Sequence, residues 1–86
     1  MNDKEAKIMA ADLGGEMSEV DLHGLYPTEA LEKLELFLFA NKDREMIRVI
    51  YGGGTGKLKE VVLNYFEKDP QVAEVVDRGA SCLVFL

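Results

Sequence analysis

IYGGGTGKL, residues 50–58, decides how this chain is read. The end of an apolar strand runs into four glycines within five positions, and a lysine and a leucine then open the next segment. A strand that ends in glycines and continues into a helix is an anion-binding arrangement. Glycines let consecutive peptide N–H groups converge, and the helix N-terminus adds partial positive charge. Two phosphate-binding signatures of this kind can be tested by counting. A P-loop needs a glycine five places before Gly56 and a serine or threonine after Lys57, where Tyr51 and Leu58 stand instead. The dinucleotide fingerprint G-x-G-x-x-G takes Gly52 and Gly54 and then meets Lys57. The loop is of neither kind. A tight turn with positive φ accounts for one glycine; four in five positions point also to close approach by a ligand.

The flanking segments set the architecture. Residues 46–51 are rich in β-branched side chains and predict a strand. Leu58, Val61, Val62 and Tyr65 recur at i, i+3, i+4, i+7, predicting a helix over 55–68 that Asp69-Pro70 ends. Upstream, residues 19–23 form a short strand before Gly24. Pro27 suits a first helical position. Leu31, Leu34 and Leu38, with Ala30 and Phe37, predict a helix over 27–41, and Leu36 falls on its opposite side. Residues 72–76 are a third strand, Asp77-Arg78-Gly79 a turn, and 81–86 a fourth strand on which Cys82 shares a face with Val84 and Leu86. Cys82 therefore reads as a small core residue. The order is β-α-β-α-β-β. Helical crossovers make the first strands parallel and the short last turn makes the final pair antiparallel. The expected fold is an α/β (α+β) two-layer sandwich, with a mixed four-stranded sheet carrying both helices. Residues 1–17 hold a Gly14-Gly15 break and weak periodicity, and read as a flexible leader or linker before a domain at 18–86.

Eighty-six residues bound the chain to one small domain, and 48% hydrophobic content is enough for a single core. No apolar run is long enough to span a membrane, and the N-terminus lacks a signal-peptide pattern. A single cysteine rules out an internal disulfide and suits a reducing, cytoplasmic setting. The net charge of −6 excludes a broadly basic nucleic-acid surface. It does not exclude a local basic cluster, because fields are local.

The second informative stretch is VDLHG, residues 20–24. Asp21 and His23 lie two apart at a strand end, so both side chains point to one face. A carboxylate and an imidazole there can form an acid–base pair or share a metal or water; equally, Asp21 can cap a loop while His23 bonds near the surface. In parallel α/β sheets, ligands collect at the carboxyl ends of strands. If the first two strands are parallel neighbours, the loops after His23 and Tyr51 open on one edge. Lys57 and Lys59 flank the glycine loop and suit phosphates, and Arg48 projects from a strand nearby. Tyr26 follows the first motif; packing over its own loop is expected, with stacking on a base as the alternative. Asp21 and His23 alone are too few ligands for a dedicated metal site, so no metal-ligating set is assigned, and participation of a divalent metal is left open.

These motifs resemble those of the Smr (small MutS-related) domains. VDLHG is similar to their L-D-L-H-G motif and YGGGTGKLK to their H-G-x-G-x-G-x-L-R signature, while DRGASCLVFL resembles their closing hairpin strand. The resemblance covers about residues 18–86. It implies a fold similar to the C-terminal domain of translation initiation factor three, nucleic-acid binding and, in many members, nicking or cleavage of DNA or RNA. Carried over by position, it makes Asp21 and His23 the catalytic candidates. The binding candidates are Tyr51, Gly52, Gly53, Gly54, Gly56, Lys57, Lys59 and Arg48, with Lys59 at the family's basic position. Tyr51 stands where the family usually has histidine, or threonine in some members. Tyrosine can donate a hydrogen bond or stack, but its ordinary pKa near 10 makes it a poor base. Two functions are therefore carried forward: a nicking endonuclease acting on DNA or RNA, and a non-catalytic nucleic-acid or protein interaction module, including one forming the C-terminal part of a MutS-type protein.

Overall fold

The computed structural model describes residues 5, 6, 8, 9 and 17–86. The leader assignment for 1–17 falls mostly outside them; Glu5, Ala6, Ile8 and Met9 are helical. The remaining elements are β1 (Glu19–Asp21), α1 (Pro27–Ala40), β2 (Met46–Ile50), α2 (Lys57–Glu67), β3 (Glu74–Asp77) and β4 (Ser81–Phe85). The sheet order is β1-β2-β4-β3. β1 and β2 are parallel, with Val20 opposite Val49 and Asp21 opposite Ile50. β4 runs antiparallel to both β2 and β3. The mixed four-stranded sheet with two helices is the expected fold. The elements differ from expectation mainly at their ends: β1 stops at Asp21, and α2 starts at Lys57 instead of residue 55.

Why β4 takes the centre follows from its composition. Cys82, Leu83 and Val84 are all buried, so the strand needs cover on both edges and both faces. β3 carries exposed Glu74 and Asp77 at its ends and tolerates an edge.

Both helices cover one face. Val20, Leu22, Ile47, Val49, Tyr51, Cys82 and Val84 from the sheet side meet Ala30, Leu34 and Leu38 of α1 and Val62 and Phe66 of α2. Each fully buried aliphatic side chain here contributes about 1.5–3 kcal/mol relative to exposure. On α2 the buried pair is Val62 and Phe66, while Leu58 and Tyr65 are only partly covered. The stripe read from the sequence is thus rotated toward Phe66, because the helix must face Cys82 and Val84 in the central strand. Leu36 is exposed as expected, and Phe39 joins it on the outer side of α1. No helix among the described residues is long and apolar enough to cross a membrane.

Candidate functional site

Parallel pairing of β1 and β2 puts the segments after both strands at one edge of the sheet, and a cleft of about 250 Å³ forms between them. His23, Gly24 and Leu25 line one side; Gly52, Gly53, Gly54, Thr55 and Gly56 line the other. A larger groove of about 460 Å³ lies at the far ends of the helices, among Leu38, Phe39, Tyr65 and Pro70. It carries Glu35, Lys68 and Asp69 but no imidazole and no glycine loop, so the acid–base and anion-binding candidates concentrate in the smaller cleft.

The first side is built by a turn. Leu22 is fully buried, and its N–H donates to Ile50 O at 2.7 Å, fixing the end of β1. The Leu25 N–H then donates back to Leu22 O at 3.2 Å, closing a turn that lifts His23 out of the strand. Asp21 Oδ1 accepts the His23 N–H at 3.0 Å and lies 2.7 Å from ring Nδ1. The side-chain bond from His23 is the main cause that holds the Asp21 carboxyl below its ordinary range, with the backbone bond from the same residue next. An ionised carboxylate only accepts, so Nδ1 carries a hydrogen, and in the neutral ring Nε2 is the nitrogen left with a lone pair. Both side chains are more than half exposed, at 68% for His23 and 51% for Asp21. Lys33 of α1 adds a cation beside them, donating to Asp21 O at 3.1 Å.

The second side is a loop whose start is tied down and whose middle is not. The N–H groups of Tyr51 and Gly52 both donate to Ala80 O, at 3.1 and 2.8 Å. Those of Gly53, Gly54, Thr55 and Gly56 donate to no acceptor among the described residues. Gly56 caps α2 in the left-handed region with φ 82°, and offers no side chain to the helix's free N–H groups; Thr55 Oγ1 reaches the Lys57 N–H at 3.3 Å. Gly52 is constrained twice, by φ 81° and by His23, whose Cβ would stand 3.1 Å from an added Cβ. Gly53 and Gly54 are different. Neither is left-handed, and a Cβ on either would meet nothing within 4 Å. The fold does not demand glycine there, whereas an approaching ligand backbone would.

The remaining candidates are placed unequally. Tyr51 is only 4% exposed and forms the floor of the cleft; its hydroxyl lies 3.1 Å from both Asp77 Oδ1 and Ser81 O, so it binds the β3–β4 hairpin instead of projecting to a ligand. Burial pushes its phenol well above the ordinary value, with Cys82 and Asp77 adding to the effect. Lys59 lines the cleft but pairs with Asp77 at 2.9 Å and sits 6.0 Å over the Tyr51 ring. Lys57, exposed at the start of α2, has no carboxylate partner among the described residues and is not itself part of the cleft lining. Arg48 pairs with Glu19 at 3.4 Å and lies outside the cleft. Strand alternation explains this: Val49 faces the helices, so Arg48 faces the other side of the sheet. Tyr26, expected to pack over its loop, is 78% exposed.

Two participants were missed in the sequence. Asp77 read only as a turn residue, although it is the shared partner of Tyr51 and Lys59. Lys33 carried a usable signal, since a crossover helix starting at Pro27 returns its first turns past the end of β1. Among the described residues, no three His, Cys, Asp or Glu side chains cluster to hold a metal ion.

The chain matches the family model of the Smr domain over residues 20–81. Its structure is similar to the crystal structure of the Smr domain of Thermus thermophilus MutS2, with a TM-score of 0.76 and 28% sequence identity, covering 81% of this chain and 98% of that one. No curated protein sequence matches it.

Proposed function

Because this chain belongs to the Smr domain family, we propose that its cleft holds one phosphodiester of a nucleic acid and that the Asp21–His23 pair nicks it. One observation carries this reading: His23 and the glycine loop line the same cleft, and the N–H groups of residues 53–56 on that loop donate to no acceptor among the described residues. The N–H groups of residues 53–56 and the Lys57 ammonium hold the non-bridging oxygens, as at other glycine loops opening a helix. Nε2 of His23 takes the proton of an attacking water while the P–O bond breaks, and the leaving oxygen is protonated from solvent or by the imidazolium so formed. Asp21 orients the ring and stabilises its charged form. If a divalent metal takes part, His23 on the cleft wall and Asp21 bonded to it are the side chains that would hold it, with water and phosphate oxygens completing its shell.

Binding without cleavage is the second reading, and the position of Tyr51 favours it. Where the family usually carries histidine, this chain has a buried phenol engaged by Asp77 and Ser81 O. The likeness to the Smr domain of MutS2 supports a setting within a larger MutS-type protein for either reading. Nicking of supercoiled DNA and of structured RNA, with and without Mg²⁺ or Mn²⁺, separates them. Activity lost in Asp21→Ala and His23→Ala supports the nuclease. Binding to either nucleic acid without nicking by the wild type supports the module.

A further inference from the structure

We infer that Tyr26 is a stacking platform that makes this cleft selective for unpaired nucleotides over duplex. The inference rests on the proposed placement of a phosphodiester in the cleft and adds the class of strand that supplies it.

Two independent features lead there. The first is electrostatic. Among the described residues, Lys33, Lys57 and Lys59 are the lysines near the cleft, with Arg78 on the adjoining hairpin turn, and they stand among Asp21, Glu29, Glu60 and Asp77. Lys59 is already engaged with Asp77. A duplex is gripped through many phosphates by a broadly basic surface, and this edge carries no such surface. These few cations, intermixed with carboxylates, neutralise only a few phosphates, so affinity must come mainly from another source. Stacking of bases on an aromatic ring supplies it, and requires bases that are not already stacked in a helix.

The second feature is how Tyr26 is held. A single exposed aromatic residue is ordinary on a protein surface, but this one is fixed at both ends of its backbone. Pro27 restricts it to the extended conformation seen, φ −68° and ψ 152°. Its N–H is reached by Glu29 Oε1 at 3.4 Å and its carbonyl accepts the Ala30 N–H at 2.9 Å. It directly follows Leu25, which lines the cleft. Only Gly24 and Leu25 separate it from His23, so the two Cα atoms lie at most about 11 Å apart. A ring 78% exposed, on a backbone that does not need ordering, thus stands at the rim of the cleft, next in the chain to its lining residue Leu25. The other exposed apolar side chains of α1, Leu36 and Phe39, lie toward the far end of the helix and cannot serve a strand in this cleft.

The test is a titration of the full chain, labelled with ¹⁵N, with four probes of equal length: oligo(dT), oligo(U), an abasic deoxyribose-phosphate strand and a blunt duplex. The expected result is that oligo(dT) or oligo(U) binds about tenfold more tightly than the abasic strand, and more tightly than the duplex. Tyr26→Ala removes that difference without changing abasic-strand binding, and Tyr26→Trp retains it. A wild type that binds abasic and base-bearing strands equally, or prefers the duplex, overturns the inference, as does an unchanged preference in Tyr26→Ala. If loop amides 53–56 still respond in those cases, the phosphate site stands while the stacking role falls. If no probe moves them, both fall.

Discussion

Gly52 and His23 approach so closely that a methyl group on Gly52 would stand 3.1 Å from the His23 Cβ. The end of the second strand and the turn after the first are therefore in contact. This one contact keeps an imidazole and a set of free peptide donors in a single cleft. Gly52 also sits at φ 81°, which penalises any L side chain.

Gly52→Ala is accordingly expected to destabilise the domain by about 1–2 kcal/mol from the left-handed backbone alone. Gly54→Ala is expected to stay within about 0.5 kcal/mol of wild type, since open space surrounds that position. Its effect falls instead on oligonucleotide affinity. Urea midpoints of the two variants measure the difference; equal losses at both positions would contradict the distinction.

Tyr51→Phe keeps the ring over which Lys59 lies and removes the hydroxyl near Asp77 and Ser81 O. The loss of one partly buried hydrogen bond costs about 1 kcal/mol. Faster amide exchange at Gly52 should accompany it, because the same hairpin holds that N–H through Ala80 O. An unchanged urea midpoint and unchanged exchange would show that the hydroxyl is not anchoring the loop.

Burial pushes the Cys82 thiol up to about 12 from 9.0, and it raises Tyr51 from 10.0 in the same direction. Both stay neutral in the fold while their unfolded counterparts ionise. The stability they contribute is complete below pH 9 and declines as pH rises from 9 toward 12. Native protein at pH 8 should therefore resist a thiol reagent that labels the urea-unfolded chain at once. Its urea midpoint should fall between pH 9 and 11, less steeply in Cys82→Ala. Rapid labelling of the native state, or a flat midpoint, would contradict the burial.

Asp21 and Asp77 shift the opposite way. Hydrogen bonds from His23 lower Asp21, and the Lys59 side chain followed by the Gly79 N–H lowers Asp77. Their contribution is complete above 3.8 and is lost as pH falls below it. The Asp21 carboxyl carbon resonance should accordingly titrate below the ordinary range in wild type and return to it in His23→Ala. Titration at the same pH in both would remove the bond as its cause.

Much of this was legible in the letters. Pro27, the leucine stripe of α1 and the β-branched run before Tyr51 fix the first β-α-β unit, and parallel pairing then brings His23 to the glycine loop. The position of β4 between β2 and β3 was not legible, because local pattern reports a hairpin and not which of its strands is central. Arg48 and Tyr51 show the other limit. Proximity along the chain suggested a shared site, but strand alternation turns Arg48 to the far face and buries Tyr51. Lys59 looked like an available cation until Asp77, eighteen residues on, arrived beside it.

In the proposed site, one molecule of ligand touches both walls of the cleft. Titrating the labelled chain with a short single-stranded oligonucleotide reads this directly, through the His23 ring and the amides of residues 53–56. Both sets are expected to shift together along one binding curve, and His23→Ala should leave the amide shifts in place. Shifts confined to the ring, shifts confined to the loop, or two curves of different midpoint would mean that the walls do not serve one site.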